Sequence, residues 1–216
     1  KNNERLGDYK RAFETILERN ELIIEVNKNK KFDKKIINDT LEKYTKFYNK
    51  TNFRNISYNS KHVDDQRLVF LVGFPRSGTT LLDTILRTHS KVTVLEEKPY
   101  LLNERHNYFK KNNDNLHSLK NITQTQKLDI RNKYFDKINF YHDKNIIIDK
   151  FPLSIIEIGF IKCIFPNAKI ILSLRHPCDV VISCFFSLFK INEAMINFLN
   201  WDDTLKFYNN VFQLFE

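Results

Sequence analysis

Glycine and proline are scarce in this sequence, which has 4 Gly and 5 Pro among its 216 residues. Collagen-like and low-complexity chains need far more of both, so these two classes are excluded. The 19 Phe and 9 Tyr argue against a disordered chain, because aromatic side chains supply surface that can be buried. We therefore expect a folded protein with a core of its own.

Cysteines and long apolar runs are scarce as well. Cys163, Cys178 and Cys184 form no CxxC pair and have no histidine at metal spacing, so we expect reduced thiols rather than a zinc site or disulfides. No uncharged apolar run reaches the roughly 18 to 20 residues that span a bilayer, so no transmembrane segment is expected. The sequence begins with Lys1 rather than methionine, which indicates a start downstream of the initiator. Among the compartments we favour the cytoplasm.

Positive charge exceeds negative charge, since 35 Lys and Arg against 26 Asp and Glu give a formal net charge of +9. Such a balance suits an anionic ligand. Many of the lysines stand in stretches rich in Asn, Lys, Ile and Phe, which indicates compositional bias and a solvated surface. We therefore expect no nucleic acid among the partners.

The first 50 residues are predicted to be helical. Residues 1–50 contain no proline and repeat apolar residues at helical spacing, with a break near Lys28 to Phe32 that predicts two helices. The stretch LGDYKRAFETI in the first helix resembles the end of a tetratricopeptide repeat, so these helices are candidates for contact with a protein partner. Residues 51–66 are polar and rich in Asn, and we predict a linker there.

Strands and helices alternate in the rest of the chain. The apolar run LVFLV shows no alternation, as expected of a strand that is covered on both faces. The order predicts an α/β fold, a P-loop-type three-layer sandwich with a central parallel sheet, preceded by the short all-α segment. The predicted strands are 67–74, 91–95, 145–149 and 169–174, and the predicted helices are 78–89, two across 99–141, 154–165 and 177–189.

The sharpest motif is GFPRSGTT at residues 73–80, between a predicted strand and a predicted helix. A tight loop in this context directs backbone N–H groups and the positive end of a helix dipole towards one point, where a phosphate or sulfate can be held. The pattern approaches the GxxxxGK[ST] of nucleotide triphosphatases, but Thr79 replaces their lysine and Arg76 supplies the cation. Asp149 could imitate a magnesium-binding aspartate, so a P-loop kinase or nucleotide hydrolase using Asp149 with magnesium is the alternative.

A second anion site is predicted after the strand that ends in IILSLRHP, at residues 170–177. Ligands of open parallel sheets bind beyond the carboxyl ends of the strands, so Arg175 is expected to face the same crevice as the loop. Ser183, about two turns into the following helix, could add a hydroxyl. Two such sites favour a ligand with phosphate-like groups at both ends.

These motifs resemble those of a known family. PRSGTTLL after one strand and RHPCDVVISCFF after another are similar to the 5′-phosphosulfate and 3′-phosphate motifs of sulfotransferases, which use 3′-phosphoadenosine-5′-phosphosulfate (PAPS). FPNAKIILSLRHP and the DKFP at Asp149 to Pro152 resemble the bacterial-type family in which a sulfotransferase domain follows tetratricopeptide repeats. The resemblance implies a sulfotransferase domain over 67–216, truncated at its C-terminus.

The resemblance also implies a reaction and an acceptor class. The enzyme would move a sulfuryl group from PAPS to an acceptor hydroxyl, leaving adenosine 3′,5′-bisphosphate and requiring no metal. Protein tyrosine, a saccharide and a small molecule all remain open as acceptors. A third interpretation is a helical adaptor whose α/β part is inactive.

Roles for individual residues follow from the same resemblance. The Glu96-Glu97 pair is similar in its spacing from PRSGTT to that of tyrosylprotein sulfotransferases, in which the second acid is the base, so we expect Glu97 in this role. Acids before a helix also suit its dipole, which alone would explain one of them. Lys150 is implied to reach the bridging oxygen of the cofactor, with Arg76 as a second cation. The residues implied to bind the 5′-phosphosulfate are Arg76, Ser77, Gly78, Thr79 and Thr80, and those for the 3′-phosphate are Arg175 and Ser183.

Overall fold

The structure, a computed structural model of the chain, describes residues 7–29, 32–49, 52, 65–140 and 145–215. The helices are α1 (Tyr9–Val26), α2 (Lys34–Phe47), α3 (Thr79–Leu86), α4 (Tyr100–Lys111), α5 (Gln124–Lys137), α6 (Ile158–Ile164), α7 (Pro177–Phe186) and α8 (Trp201–Phe215). The strands are β1 (Leu68–Gly73), β2 (Val92–Glu96), β3 (Ile146–Lys150) and β4 (Lys169–Ser173), and 3₁₀ helices span Leu116–Asn121, Pro152–Glu157 and Met195–Leu199. No helix in the described ranges combines the length and the apolar character that a membrane span requires.

The strands form one parallel sheet in the order β2-β3-β1-β4. In the register of the sheet Lys150 lies opposite both Leu71 and Glu96, and Gly73 lies opposite Ser173. Because all strands run the same way, their carboxyl ends meet at one edge. The predicted α/β fold with a central parallel sheet is confirmed.

Helices cover both faces of this sheet. On one face, Leu82 and Leu86 of α3 pack against Val69, Leu71 and other strand residues. On the opposite face, the ring of Phe70 lies 6.3 Å from that of Tyr134 in α5 and 5.9 Å from that of Phe165. All six residues of β1 are buried, as the unbroken apolar run predicts.

One predicted helix has a different form. The segment predicted as a helix over 154–165 begins as the 3₁₀ helix Pro152–Glu157 and becomes α-helical only at Ile158. Pro152 has no N–H to donate, and the N–H of Ser154 donates to the carbonyl of Phe151, three residues back, at 2.9 Å. The first turns are therefore tighter than those of an α-helix.

The N-terminal helices are present, and the break between them falls between Val26 and Lys34, as predicted. The chain divides into two compact units, Lys1–Glu42 with His176–Gln213, and Lys43–Arg175 with Leu214–Glu216. Within the first unit, Phe13 of α1 packs against Phe185 and Trp201. Apart from Asn52, Asp65 and Gln66, the predicted linker 51–66 lies outside the described residues, and the predicted domain boundaries stay a prediction.

Asp149 and Lys150 point to opposite faces of the sheet. Asp149 is buried on the α5 side, where its Oδ2 accepts a hydrogen bond of 2.7 Å from the hydroxyl of Tyr134. Its Oδ1 has no hydrogen-bond partner among the described residues. Burial raises the pKa of Asp149 to about 6, and the hydrogen bond from Tyr134 opposes this only in part.

This raised pKa predicts a pH-dependent stability. A carboxyl whose pKa is near 4 in the unfolded chain and about 6 in the folded one stabilises the fold below the lower value. About 3 kcal/mol is then lost as the pH rises through 6. The Asp149→Asn variant should lack this loss, so its advantage over the wild type should grow between about pH 4 and about pH 7 in urea unfolding.

Asp129→Asn is the matched control, because Asp129 lies on the same helix α5 with its side chain 55% exposed. Its stability relative to the wild type should change little over the same pH range. Parallel pH curves for the wild type and Asp149→Asn would contradict the raised pKa.

Candidate active site

The loop after β1 turns sharply into α3. The N–H of Ser77 donates to the carbonyl of Phe74 at 3.1 Å, which closes a turn. Arg76 has φ 69° and Gly78 has φ 100°, both in the left-handed region that residues other than glycine rarely adopt. Helix α3 begins immediately afterwards, at Thr79. The N-terminus of α3 is therefore presented at the carboxyl edge of the sheet.

The loop is tied to β4 by close packing and a hydrogen bond. The hydroxyl of Ser173 donates to the carbonyl of Ser77 at 3.0 Å, in the interior. A Cβ at Gly73 would lie 2.6 Å from the Oγ of Ser77 and 2.8 Å from the carbonyl oxygen of Ser173. Only glycine fits this position without moving one of the two. The strand that leads to Arg175 thus fixes the loop.

The loop has the donors that an oxyanion needs. The Oγ of Ser77 is buried and has no hydrogen-bond partner among the described residues. Such a buried hydroxyl is costly unless something completes its hydrogen bonds. The first backbone N–H groups of an α-helix also lack partners within the helix. Together with the exposed side chain of Arg76, these groups suit a phosphate or sulfate group.

A cluster of charged side chains surrounds the end of β3. The ammonium of Lys150, on a residue that is 0% exposed, lies 2.9 Å from a carboxylate oxygen of Glu97 and 3.4 Å from one of Glu96. Burial acts to lower the pKa of Lys150, but the pairing with Glu97 and Glu96 outweighs it and the pKa is raised. Lys150 is therefore charged at neutral pH.

The two glutamates differ in their surroundings. The ammonium of Lys150 lowers the pKa of Glu96. The guanidinium of Arg87, 3.5 Å from the carboxylate of Glu96, lowers it further. The backbone of Glu97 has φ 49°, and its N–H donates to the carbonyl of Lys150 at 2.8 Å. A non-glycine residue in the left-handed region is costly and is often found at a functional site. This conformation holds Glu97 beside Lys150, while about half of its side chain (54%) faces solvent.

Asp83 is a further member of the cluster, which the sequence analysis missed. Its carboxylate is 1% exposed, receives two hydrogen bonds from Arg87 at 2.8 and 2.7 Å, and lies 3.7 Å from the ammonium of Lys150. The only signal in the sequence is an acid and an arginine four residues apart, in a segment otherwise made of Thr, Leu and Ile. Ser173 was missed too, since nothing in its local sequence marks it.

Arg175 and Ser183 belong to different compact units of the chain. Arg175 follows the end of β4 by two residues and is exposed, which is where a strand-end cation is expected. Ser183 lies in α7, half-buried, and its carbonyl accepts a hydrogen bond from Ser187. Their joint binding of one phosphate stays a prediction.

The site lies within a segment that matches a known protein family. The profile of a family described as the sulfotransferase family matches residues 69–215, more than half of the chain. An uncharacterized protein of Aquifex aeolicus (strain VF5) is 29% identical over 212 residues, which are 92% of this chain and 27% of that protein. The chain thus spans about a quarter of the length of this relative.

The packing around Gly73 gives a prediction for the loop. In Gly73→Ala the new methyl group must displace Ser77 or the backbone of Ser173, and overpacking of this kind costs about 1 to 3 kcal/mol. We expect a melting temperature lower by roughly 2 to 12 °C, measured by differential scanning calorimetry. Ser173→Ala, which removes only a hydrogen bond, should lose less; an unaltered melting temperature in Gly73→Ala would contradict the role of this packing.

Proposed function

The chain belongs to the sulfotransferase family, and from this premise we propose that it moves a sulfuryl group from PAPS to an acceptor hydroxyl. Adenosine 3′,5′-bisphosphate would be the second product. The observation that carries the proposal is the buried hydroxyl of Ser77, in a loop at the N-terminus of α3, which has no hydrogen-bond partner among the described residues. The strand before this loop pairs with the strand that ends at Lys150, and Lys150 is paired with Glu97. An oxyanion bound in this loop would accept hydrogen bonds from the donors there. The pair formed by Glu97 and Lys150 lies at the same edge of the sheet.

The residues of the loop and of β4 fit the two ends of this cofactor. We infer that the loop holds the 5′-phosphosulfate, because the glycines admit close approach of the backbone and Arg76 supplies a forked cation. A second cation after β4 suits the 3′-phosphate. The residues proposed for the 5′-phosphosulfate are Arg76, Ser77, Gly78, Thr79 and Thr80, and those for the 3′-phosphate are Arg175 and Ser183.

The proposed chemistry divides between a base and two cations. When bound, PAPS supplies a sulfuryl group joined to a phosphate that can leave. Glu97 accepts the proton of the acceptor hydroxyl, for which its half-exposed side chain is accessible. Lys150 and Arg76 stabilise the negative charge that builds on the leaving phosphate oxygen, a contribution of about 2.7 to 4 kcal/mol for one preorganised donor. These cations suffice without a metal, since a sulfuryl group carries less charge than a terminal phosphoryl group.

The acceptor and the further partners are less narrowly defined. We propose a hydroxyl of a protein tyrosine, a saccharide or a small molecule as the acceptor. Exposed apolar side chains on α1, among them Tyr9, Leu22 and Val26, support a contact between the N-terminal helices and a protein partner. We also propose that the catalytic domain begins near residue 67, after the linker 51–66.

A kinase or nucleotide hydrolase that uses Asp149 with magnesium receives less support. The side chain of Asp149 is buried against Tyr134 on the α5 face of the sheet, whereas the loop leads into α3 on the other face. A magnesium-binding aspartate would have to reach the phosphates held by the loop.

Calorimetric titration of the full-length protein tests the proposed cofactor. Adenosine 3′,5′-bisphosphate should bind without magnesium and more tightly than adenosine 5′-monophosphate, by roughly tenfold or more. In Arg175→Ala this preference should disappear, while the affinity for the monophosphate stays within about threefold. A protein that binds only ATP, and only with magnesium, would overturn the proposal in favour of the kinase.

Turnover tests the assignment of the base. With PAPS as donor and 4-nitrophenol, a tyrosine peptide or a disaccharide as acceptor, Glu97→Gln should lower kcat by roughly 100-fold or more. Its affinity for adenosine 3′,5′-bisphosphate should stay within about threefold, because the base does not hold the cofactor. Glu96→Gln is the matched control, and its loss should be much smaller. A larger loss of kcat in Glu96→Gln than in Glu97→Gln would assign the role of the base to Glu96 instead.

A further inference from the structure

Asp83 forms a contact between helix α3, which follows the loop, and Lys150 at the end of β3. It lies on α3, four residues after Thr79, and its carboxylate is 3.7 Å from the ammonium of Lys150. Both side chains are 1% exposed, so water scarcely screens the attraction between them. Arg87 holds the same carboxylate with two hydrogen bonds, which fixes its orientation.

The three carboxylates around Lys150 differ in how freely their side chains can turn. The side chains of Glu96 and Glu97 are 55% and 54% exposed, so either can turn towards solvent or an acceptor. Asp83 has no such freedom, because it is enclosed and held by Arg87. Of these three described carboxylates it is therefore the fixed one.

Lys150 needs such an anion during a turnover. A buried ammonium without a negative partner favours its neutral form, and a neutral amine no longer stabilises a leaving phosphate oxygen. When Glu97 takes up the proton of the acceptor, its carboxyl becomes neutral and its attraction for Lys150 falls. The charge of Lys150 then depends more on the anions that do not take part in the proton transfer, and of these Asp83 is buried beside the ammonium whereas Glu96 is half-exposed.

We propose that Asp83 is a positioning residue that keeps the ammonium of Lys150 charged, and directed towards the leaving group, while Glu97 is protonated. The inference rests on the proposed sulfuryl transfer. Arg87 contributes indirectly, by fixing the carboxylate of Asp83.

The ionisation of Lys150 tests this in the full-length protein without any acceptor. The nitrogen-15 signal of its ammonium group can be assigned by its loss in Lys150→Arg and followed with pH. In Glu97→Gln, which imitates the protonated base, the signal should persist at neutral pH because Asp83 and Glu96 remain. Adding Asp83→Asn should lower the pH at which the signal is lost by roughly one unit or more. Loss of the signal at neutral pH in Glu97→Gln alone, or no effect of Asp83→Asn, would overturn the proposal.

Turnover separates this role from a structural one. Asp83→Asn should lower kcat by roughly tenfold or more, with the affinity for adenosine 3′,5′-bisphosphate within about threefold. Arg87→Met breaks the pair with Asp83 and the 3.5 Å contact with Glu96 but leaves the carboxylate of Asp83 beside Lys150, so its loss should be clearly smaller. Asp129→Asn, which breaks the similar pair with Lys133 in α5, should leave kcat unchanged. Equal losses in Asp83→Asn and Arg87→Met would show that Asp83 only supports the helix. A wild type that transfers no sulfuryl group would refute the proposed function, whereas the Lys150 signal would still report on the pairing.

Discussion

The buried ammonium of Lys150 constrains the carboxyl edge of the sheet more than any other group described. A charge that is taken out of water must be surrounded by opposite charges, and here they come from two elements, α3 and the end of β2. The backbone adds a further link, since the N–H of Glu97 donates to the carbonyl of Lys150. The ends of β2 and β3 and the helix after the loop are thereby held in one arrangement.

The alternation of side chains along β3 gives two neighbouring residues different chemistry. Asp149 faces α5, where burial raises its pKa, whereas Lys150 faces α3, where anions raise its pKa. A shift of one residue in the register of β3 would exchange these environments. The register set by the pairing with β1 is therefore a condition for the site as well as for the core.

Local patterns in the sequence were enough to predict much of the fold. Unbroken apolar runs marked the strands, as in β1, and the glycines of the loop marked the turn into α3, because these features depend on neighbouring residues alone. Arg76, Lys150 and Glu97 were singled out by their positions at strand ends together with the resemblance to a known family, and their roles stay predictions. Asp83 and Ser173 were not, because their contacts exist only once β1, β3 and β4 have paired in a particular register. The interior position of Asp149 was missed for the same reason.

The ion pair between Glu97 and Lys150 sets a condition on the order of events. A carboxylate that is paired with an ammonium at 2.9 Å is directed at that ammonium rather than at an acceptor hydroxyl. In the proposed sulfuryl transfer, Glu97 can turn away from Lys150 once the ammonium has another anion to face, and the leaving group of a bound cofactor would be such an anion. The exposed half of the Glu97 side chain leaves it room to turn from Lys150 to an acceptor, whereas enclosed Asp83 stays in place. For the proposed sulfuryl transfer, this cluster therefore favours binding of the cofactor before the acceptor.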